Sequence, residues 1–344
     1  MVAPVAQSVP PVKSGSVETV TALLTDGLVT RGHEVTLFAT SDSETTATLH
    51  ATQARGYHED PALWPWELCE LFNLATAVER AEAFDLIHYQ AEYTPIALAF
   101  SRLTTTPLLQ TLHHAPSATE VRLWSKYPEA PFVAVSNAQA ARMVGLRVEA
   151  TIHHAIDTQR LRFKAAAEDY LLFLGRFAKG KGVLQAIEVA SRTGQRLVLA
   201  GAENDYYREV VSPHVDGRNV AYAGEVGDTE KGALLGGARA LLYPIQEAEP
   251  FGLVLVEAMA CGTPVAALDC GAVSELVDNG VTGCVSTSLD ALIANLPCVE
   301  ALDRPGVRAR AVKRFGPNQA VDAHVELYKR LVTQSIERHE RTAE

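Results

Sequence analysis

Short apolar runs alternate with amphipathic segments along most of this chain. The runs are bounded by polar or glycine-containing stretches and predict buried strands at residues 33–40, 85–89, 108–112, 132–136, 170–174, 197–200, 220–224, 241–243 and 265–268. Between them apolar residues recur at helical spacing, as at Val17, Val20, Leu24 and Leu28 ahead of Gly32. The alternation favours parallel sheets of the α/β class.

The same pattern predicts two domains. A chain of 344 residues is long enough for two of ordinary size, and the strand–helix alternation begins again at Tyr170. Residues 1–4 have the pattern of the end of a first strand. We expect an N-terminal domain at 1–160, a second domain at 161–315, and a C-terminal amphipathic helix within 316–344.

The stretch 247–265 contains the densest chemistry. Its pattern predicts an acidic loop, then a helix from Gly252 to residue 261, ended by a glycine and a proline. Glu249 lies in the loop and Glu257 on the helix, about two turns in. The N–H groups around Phe251, Gly252 and Leu253 lack helical partners and suit a phosphate. Carboxylates accept hydrogen bonds from hydroxyls, so an anion seat with a hydroxyl-binding acid on each side is expected.

Other candidates follow predicted strands. Arg176 and Lys181 flank a glycine-containing loop after 170–174, where a guanidinium and an ammonium suit a diphosphate; an ordinary basic loop is the alternative. His113 and His114 follow 108–112, at the strand end where open α/β sheets bind ligands.

Small residues open the first predicted helix, where a phosphate or sugar can approach closely. They are Ser14, Gly15 and Ser16. The Ser16 hydroxyl is a candidate helix cap. Further along, Trp64, Trp66 and Phe72 belong to an apolar patch that also includes Leu68 and Leu71. We interpret this patch as core, with an acceptor wall as the alternative.

Composition narrows the classes of function. The formal net charge of −11 has no compensating basic stripe, which argues against nucleic acid. No apolar run reaches the length of a membrane helix, and the first fifteen residues lack the pattern of a signal peptide. Five cysteines without a C-x-x-C pair predict reduced structural thiols in a cytoplasmic protein and no metal site. Peripheral contact with a membrane and the oligomeric state stay open.

The sequence EPFGLVLVEAMACGTPV, with Glu249 and Glu257 seven residues apart, resembles the Glu-x7-Glu signature of the family 4 retaining glycosyltransferases. The resemblance extends from about Ser14 to Tyr328 and is densest over 170–283. It implies the GT-B arrangement: two Rossmann-like domains facing across a cleft, the first for the acceptor and the second for a nucleotide-sugar donor. The last helix would return to the first domain.

The resemblance also implies roles for individual residues. The expected catalytic residues are Glu249, Arg176, Lys181 and His113. The expected donor-binding residues are Glu257, Gly252, Phe251, Leu253, Gly15, Ser16 and Val226. Two departures stand out, because the family usually has a second glycine where this chain has Ser16 and a glycine where it has Ala155.

The reaction implied is transfer of a hexose, with retention and without a metal, from a nucleotide-diphosphate sugar, UDP-linked by expectation, to a hydroxyl acceptor that the sequence does not identify. No cofactor is expected besides that donor substrate. Two alternatives remain open: a non-catalytic nucleotide-sugar binder, suggested by Ser16 and the short first strand, and a GT-B sugar-nucleotide epimerase.

Overall fold

The structure is a computed structural model that describes residues 1–12, 15–158 and 160–343. The chain divides into two compact units. Unit 1 consists of Met1–Ala155 and Pro317–Glu344, and unit 2 of Ile156–Gly316. The sequence analysis placed these divisions near residues 160 and 315.

Unit 1 is a parallel α/β unit. Its strands are β1 (Thr36–Ala39), β2 (Thr48–Ala51), β3 (Ile87–Tyr89), β4 (Leu108–Thr111), β5 (Pro131–Ala134) and β6 (Arg147–Thr151). Its helices are α1 (Ser16–Thr30), α2 (Trp66–Val78), α3 (Thr94–Phe100), α4 (Ala118–Trp124), α5 (Asn137–Ala140) and the last helix of the chain, α12 (Pro317–Ala343), with a 3-10 turn at Ala81–Ala83.

Residue 2 joins the two sheets of unit 1. Strands β3-β4-β5-β6 form one parallel sheet and β1-β2 the other. Val2 bridges in parallel to Phe38 of β1 on one side and to Tyr89 of β3 on the other. The first residues therefore act as the central strand between β1 and β3, and the direction in which strands are added reverses there.

Unit 2 contains one six-stranded parallel sheet in the order β12-β11-β10-β7-β8-β9. The strands are β7 (Leu171–Leu174), β8 (Leu197–Ala200), β9 (Val220–Tyr222), β10 (Leu241–Tyr243), β11 (Val265–Leu268) and β12 (Gly283–Ser286). The helices are α6 (Val183–Thr193), α7 (Asp228–Gly237), α8 (Leu253–Ala260), α9 (Val273–Leu276), α10 (Leu289–Glu300) and α11 (Arg304–Phe315), with 3-10 turns at Lys179–Lys181 and Ser212–His214 and a π segment at Tyr207–Val211. The order reverses between β7 and β10, which makes that gap the topological switch point of the sheet.

Helix α12 packs within unit 1. Val321 and Val325 meet Leu24 and Leu28 of α1 in one buried cluster. Further along, Leu327 and Leu331 pack on residues of β4 and β5. This apolar face, at helical spacing, is why the last segment of the chain is helical and packs beside α1. In the part of the chain that the structure describes, no helix is both long enough and apolar enough to cross a membrane.

One detail of α8 differs from the sequence-based expectation. Helix α8 begins at Leu253, so Glu257 lies just over one turn in, where two turns were expected. Residues 278–283 form a turn that leads into β12, which pairs in parallel with β11. Ala155, which stands where the family usually has a glycine, does not adopt a positive φ, since no described residue other than glycine has one.

The apolar patch on α2 is not core, and the sequence interpretation was wrong on this point. Trp64, Leu68 and Phe72 are 73%, 55% and 70% exposed. The buried face of α2 instead carries Cys69, Glu70, Asn73, Leu74 and Ala77. Leu68 and Phe72 lie four residues apart on α2, so they form a separate stripe on the outer side of the helix, and Trp64 precedes its first turn.

Candidate functional site

The switch point of unit 2 brings three loops together at the carboxyl ends of its central strands. They are residues 175–182 after β7, residues 244–252 after β10, and residues 269–272 after β11. The amide of Gln246 donates to the carbonyl of Gly180 at 2.8 Å, and the amide of Ala272 donates to the carbonyl of Glu249 at 3.1 Å. Backbone hydrogen bonds thus tie both neighbouring loops to the loop that carries Glu249.

Gly182 allows the first two loops to approach this closely. Its φ of 78° lies in the left-handed region, and a Cβ placed on it would overlap the carbonyl oxygen of Pro244. Both conditions exclude other residues without a shift of the backbone. The residue next to Lys181 is therefore fixed by the requirement that the loop fits against the end of β10.

Lys181 and Glu249 form an ion pair at the centre of this loop cluster. The Lys181 ammonium donates to Oε2 of Glu249, and the Tyr243 hydroxyl donates to the same oxygen at 3.0 Å. The side chains of Lys181 and Glu249 are 26% and 14% exposed. Burial, together with the Glu249 carboxylate, raises the pKa of Tyr243 well above its ordinary value, so this hydroxyl stays a donor.

The start of α8 presents backbone donors beside this pair. Gly252 precedes the helix with a φ of 93°, and no side chain caps it. Within the described residues, the N–H groups of Gly252, Leu253 and Val254 donate to no backbone or side-chain oxygen. Three unbonded amides at a helix N-terminus can receive an anion. Phe251, expected among the donor-binding residues, is buried against Phe315, with ring centroids 6.2 Å apart.

Glu257 has a cationic partner that the sequence analysis missed. The ammonium of Lys231 on α7 lies 2.8 Å from Oε1 of Glu257, and the two side chains are 24% and 14% exposed. Val226 lies in the segment between β9 and α7, close along the chain to Lys231. Its side chain is apolar, so only its backbone can contribute polar contacts.

Arg176 is exposed on the loop after β7. Among the residues that the structure describes, its guanidinium makes no hydrogen bond or ion pair. The structure thus places Lys181, Glu249 and the start of α8 together, with Arg176 on the same loop as Lys181. The five donors of Arg176 are available to a ligand.

The remaining predicted residues belong to unit 1. Gly15 is the N-cap of α1 and Ser16 its first residue, so Ser16 does not cap the helix as was considered. A Cβ on Gly15 would lie 2.7 Å from Oε2 of Glu18 and overlap the Gln7 amide. Ser14 falls outside the described residues.

His113 follows β4 and is held on two sides. Its Nε2 lies 2.9 Å from Oε1 of Gln90, and its ring stacks on that of His154 with centroids 5.2 Å apart. Burial lowers the pKa of His113 to about 3, so the imidazole is neutral near pH 7. His114 is a structural residue: its Nε2 lies 3.1 Å from Oε1 of Glu120, whose carboxylate completes the capping box of α4.

No cluster of three or more histidine, cysteine, aspartate or glutamate side chains able to hold a metal ion occurs among the described residues. The charged groups around the switch point of unit 2 include the pairs Lys181–Glu249 and Lys231–Glu257 and the guanidinium of Arg176. Their chemistry is that of an anion and a set of hydroxyl groups bound side by side.

Comparison with known families supports this interpretation. The profile of the group 1 glycosyl transferases matches residues 157–296, and that of glycosyltransferase family 4 matches residues 17–160. This chain belongs to the group 1 and family 4 glycosyltransferases. Together the two matches span both units.

Individual glycosyltransferases show the same relationship. The glycogen synthase of Mycobacterium tuberculosis is 34% identical over 186 residues, which is 49% of this chain and 44% of that protein. The match therefore spans about half the length of this curated relative. AviGT4, a glycosyltransferase involved in avilamycin A biosynthesis, is 25% identical, with a TM-score of 0.73 and 97% of each chain covered.

The structure of Anabaena HepE in complex with UDP and glucose has the same fold. It superposes with a TM-score of 0.72 at 20% identity, covering 94% of this chain and 98% of that one. Both neighbours share the mixed α/β fold with parallel sheets, and this fold class, which was expected from the sequence, is confirmed.

Proposed function

We propose that this glycosyltransferase transfers a hexose from a UDP-linked sugar to a hydroxyl acceptor, with retention at the anomeric carbon and without a metal ion. The observation that carries the proposal is the arrangement at the switch point of unit 2. There Lys181 pairs with Glu249 beside the start of α8, where the amides of Gly252, Leu253 and Val254 donate to no oxygen of the residues that the structure describes. The resemblance to HepE, which was solved with UDP and glucose, supports a uridine nucleotide.

The leaving diphosphate gains negative charge as the glycosidic bond breaks, so positive groups must already be in place. Lys181, Arg176 and the amides at the start of α8 supply them in this proposal. Arg176 offers a planar pair of donors, and Lys181 a compact charge. These groups take the part that a divalent cation plays in metal-dependent transferases.

Two carboxylates hold hydroxyl groups in this scheme. Glu249 accepts from the transferred sugar once its contacts with Lys181 and Tyr243 rearrange around the donor. Glu257 accepts from the ribose, and Lys231 fixes the orientation of that carboxylate. In unit 1, His113 is proposed as a further sugar ligand, with its neutral ring oriented by Gln90 and His154.

Retention is proposed to follow from attack on the same face that the diphosphate leaves. The departing phosphate oxygen would take the proton of the acceptor hydroxyl, and the C–O bond to the acceptor forms as that to the phosphate breaks. No covalent intermediate with Glu249 is required. A glycosyl adduct trapped on Glu249 and detected by mass spectrometry would overturn this step.

The test is release of free nucleotide from a panel of UDP- and GDP-linked sugars, with and without EDTA. We expect UDP release from at least one UDP-sugar, unchanged by EDTA, and NMR of the product should show a retained anomeric configuration. Binding of the sugar nucleotide without nucleotide release would indicate a non-catalytic binder. Interconversion of the sugar nucleotide without an acceptor would indicate an epimerase. Loss of activity with EDTA, restored by Mg²⁺, would contradict the role given to Arg176 and Lys181.

A further inference from the structure

Unit 1 has its own switch point, where the segment that follows Val2 and the loop that follows β3 diverge. Side chains from five parts of unit 1 converge near it. Gln7 comes from the first segment, Glu18 from α1, Tyr57 from the loop after β2, Trp66 and Glu70 from α2, and Glu92 and Tyr93 from the loop after β3. We call these seven residues the acidic–aromatic cluster.

Backbone contacts hold the parts of this cluster together. The amide of Tyr57 donates to the carbonyl of Val5 at 3.2 Å. The amide of Val5 donates to Oε1 of Glu70 at 3.0 Å. On the other side, the Gln7 side chain hydrogen-bonds to Glu18. The first segment of the chain is thus the support on which both buried acids are placed.

Three aromatic rings line the cluster in a row. The rings of Tyr57 and Trp66 have centroids 6.0 Å apart, and those of Trp66 and Tyr93 5.5 Å apart. Trp66 and Tyr93 are partly exposed. Aromatic faces of this kind bury the C–H faces of sugar rings, while the hydroxyl of a tyrosine stays available for a hydrogen bond.

Two buried polar atoms at the cluster have no hydrogen-bond partner among the described residues. They are Oε2 of Glu70 and the hydroxyl of Tyr89, and the two residues are 2% and 1% exposed. The Tyr57 hydroxyl neighbours the Glu70 carboxyl, and the Tyr93 backbone neighbours the Tyr89 hydroxyl, but neither contact has the distance and angle of a hydrogen bond. Buried polar atoms are costly when unpaired, so these two atoms indicate a polar ligand.

The charge of the cluster selects against anionic ligands. Burial is the largest cause of the raised pKa values of Glu18 and Glu70. The charged neighbours that raise these pKa values further are glutamates, and Glu92 acts on both. Burial raises the pKa of Glu70 to about 8, so near pH 7 this carboxyl can donate a hydrogen bond as well as accept one.

We propose that the acidic–aromatic cluster is the acceptor subsite of this glycosyltransferase, and that it takes a carbohydrate that bears no phosphate or other anionic group. The inference rests on the proposed function, since it assigns the chemical class of the acceptor in that reaction. Hydroxyl groups of the acceptor satisfy Glu70 and Tyr89, one ring face lies on Trp66 or Tyr93, and the exposed carboxylate of Glu92 repels a phosphate.

The test uses the full chain saturated with UDP and measures sugar binding by saturation-transfer NMR. The probes are three matched pairs: glucose, mannose and fructose, each against its 6-phosphate. We expect at least one neutral sugar to bind, and its phosphate to bind about tenfold more weakly, because like charges brought together at a binding surface repel each other. A phosphate that binds as well as or better than its neutral partner would overturn the proposal, as would failure of all three neutral sugars to bind.

Variants separate the charge from the aromatic wall. Glu92→Lys is expected to reduce the preference for the neutral sugar about fivefold or more by reversing the charge that repels phosphate. Glu79→Lys is the matched control, since Glu79 is also exposed but lies at the far end of α2, and it should leave the preference unchanged. An unchanged preference in Glu92→Lys would contradict the proposal. Trp66→Ala should lose sugar binding and Trp66→Phe should retain it. Binding that is unaffected by Trp66→Ala would show that the Trp66 ring does not contact the sugar.

The outcome is distinguishable from failure of the proposed function. UDP binding, measured by calorimetry in the same samples, tests the donor site in unit 2. If UDP does not bind, the proposed donor fails whatever the sugars do. If UDP binds and the neutral sugars do not, the acceptor class alone is wrong.

Discussion

Lys181 and Glu249 form the central ion pair of the candidate site in unit 2. Each is mostly buried, and each is the main charged partner of the other. Removing one charge leaves its partner poorly compensated in a site that is largely closed to water. The pair therefore both links the loop after β7 to the loop after β10 and holds in place the ammonium that we assign to the diphosphate.

Lys181→Ala is expected to lower the rate of transfer by about 10²–10³-fold, because a preorganised charge at the leaving group is lost. Lys179→Ala is the matched control, since Lys179 is an exposed lysine on the same turn. It should leave turnover within about twofold, in line with a screened surface charge. The measurement is kcat and KM for UDP release. Equal rates for both variants would show that Lys181 has no role in the transfer reaction.

Gly182→Ala tests the fit between the loops. A Cβ would overlap the Pro244 carbonyl and would also occupy a left-handed conformation. We expect a loss in the free energy of unfolding of more than about 2 kcal/mol, together with reduced donor binding. Gly194→Ala is the control: its φ is 68°, but nothing lies within 4 Å of the added Cβ. It should cost only the 1–2 kcal/mol or so of a left-handed alanine. Urea unfolding of both variants measures the difference, and equal losses would show that the close approach to Pro244 has no cost.

At the scale of elements, helix α2 has two apolar faces, and only one is buried. The inner face includes two polar residues that bind the first segment of the chain. Asn73 donates to the carbonyl oxygens of Ala3 and Phe38 at 3.0 and 3.3 Å, and Glu70 accepts from Val5. The outer face carries the exposed stripe. Apolar residues alone could not show which face packs, because the inner face is held partly by hydrogen bonds.

A pair of substitutions two residues apart on α2 checks this arrangement. Leu74 is fully buried, and Leu74→Ala should destabilise the protein by about 2–5 kcal/mol through the lost contacts and the cavity left behind. Phe72→Ala removes a side chain that is 70% exposed and should change stability by less than about 0.5 kcal/mol. The midpoint of urea unfolding measures both. A large loss in Phe72→Ala would mean that the stripe is covered in solution.

For the whole molecule, buried histidines link α12 to the sheet of unit 1. The ring of His88 lies between the Tyr328 hydroxyl at 2.6 Å and the Thr111 hydroxyl at 2.7 Å. Nδ1 of His324 bonds to the Ala320 carbonyl at 2.7 Å. Burial lowers the pKa of His324 to about 4 and holds the pKa values of His88 and His154 well below the ordinary value. All are neutral near pH 7.

These histidines make the free energy of unfolding fall as the pH is lowered. Their pKa values are lower in the folded than in the unfolded protein, so the unfolded chain binds more protons. Their contribution is complete above about pH 6.5 and is lost as the pH falls towards the folded values. The raised pKa of Glu70 acts in the opposite direction, because its contribution is lost as the pH rises from about 4.5 to 8. The effect of one histidine must therefore be isolated by substitution.

The His324→Gln variant isolates the contribution of His324 to the pH dependence of stability. We expect the wild type to lose more of its free energy of unfolding between about pH 7.5 and pH 5 than His324→Gln loses, because the variant lacks one group that must be protonated on unfolding. Urea titrations at the two pH values measure the difference. Equal losses in the two proteins would show that His324 does not contribute to the acid sensitivity.

The strand–helix alternation, the glycine stops and the two glutamates of the signature are local features, and the sequence by itself determined them. The predicted strands from 33–40 to 265–268 are present, several of them with shorter ends, and Gly32, Gly194 and Gly262 adopt the positive φ of helix ends. Local periodicity and chain stiffness are enough for this, because each signal acts within a few residues.

Only the tertiary structure decided which distant side chains meet. Lys231 reaches Glu257, and Glu70 reaches Val5 across sixty-five positions of the chain. The reversal of strand order brings Lys181 to Glu249, sixty-eight positions away. A lone glutamate or lysine in a sequence has the pattern of a surface residue. Its partner, its burial and its protonation depend on elements that pack beside it, and no local pattern records them.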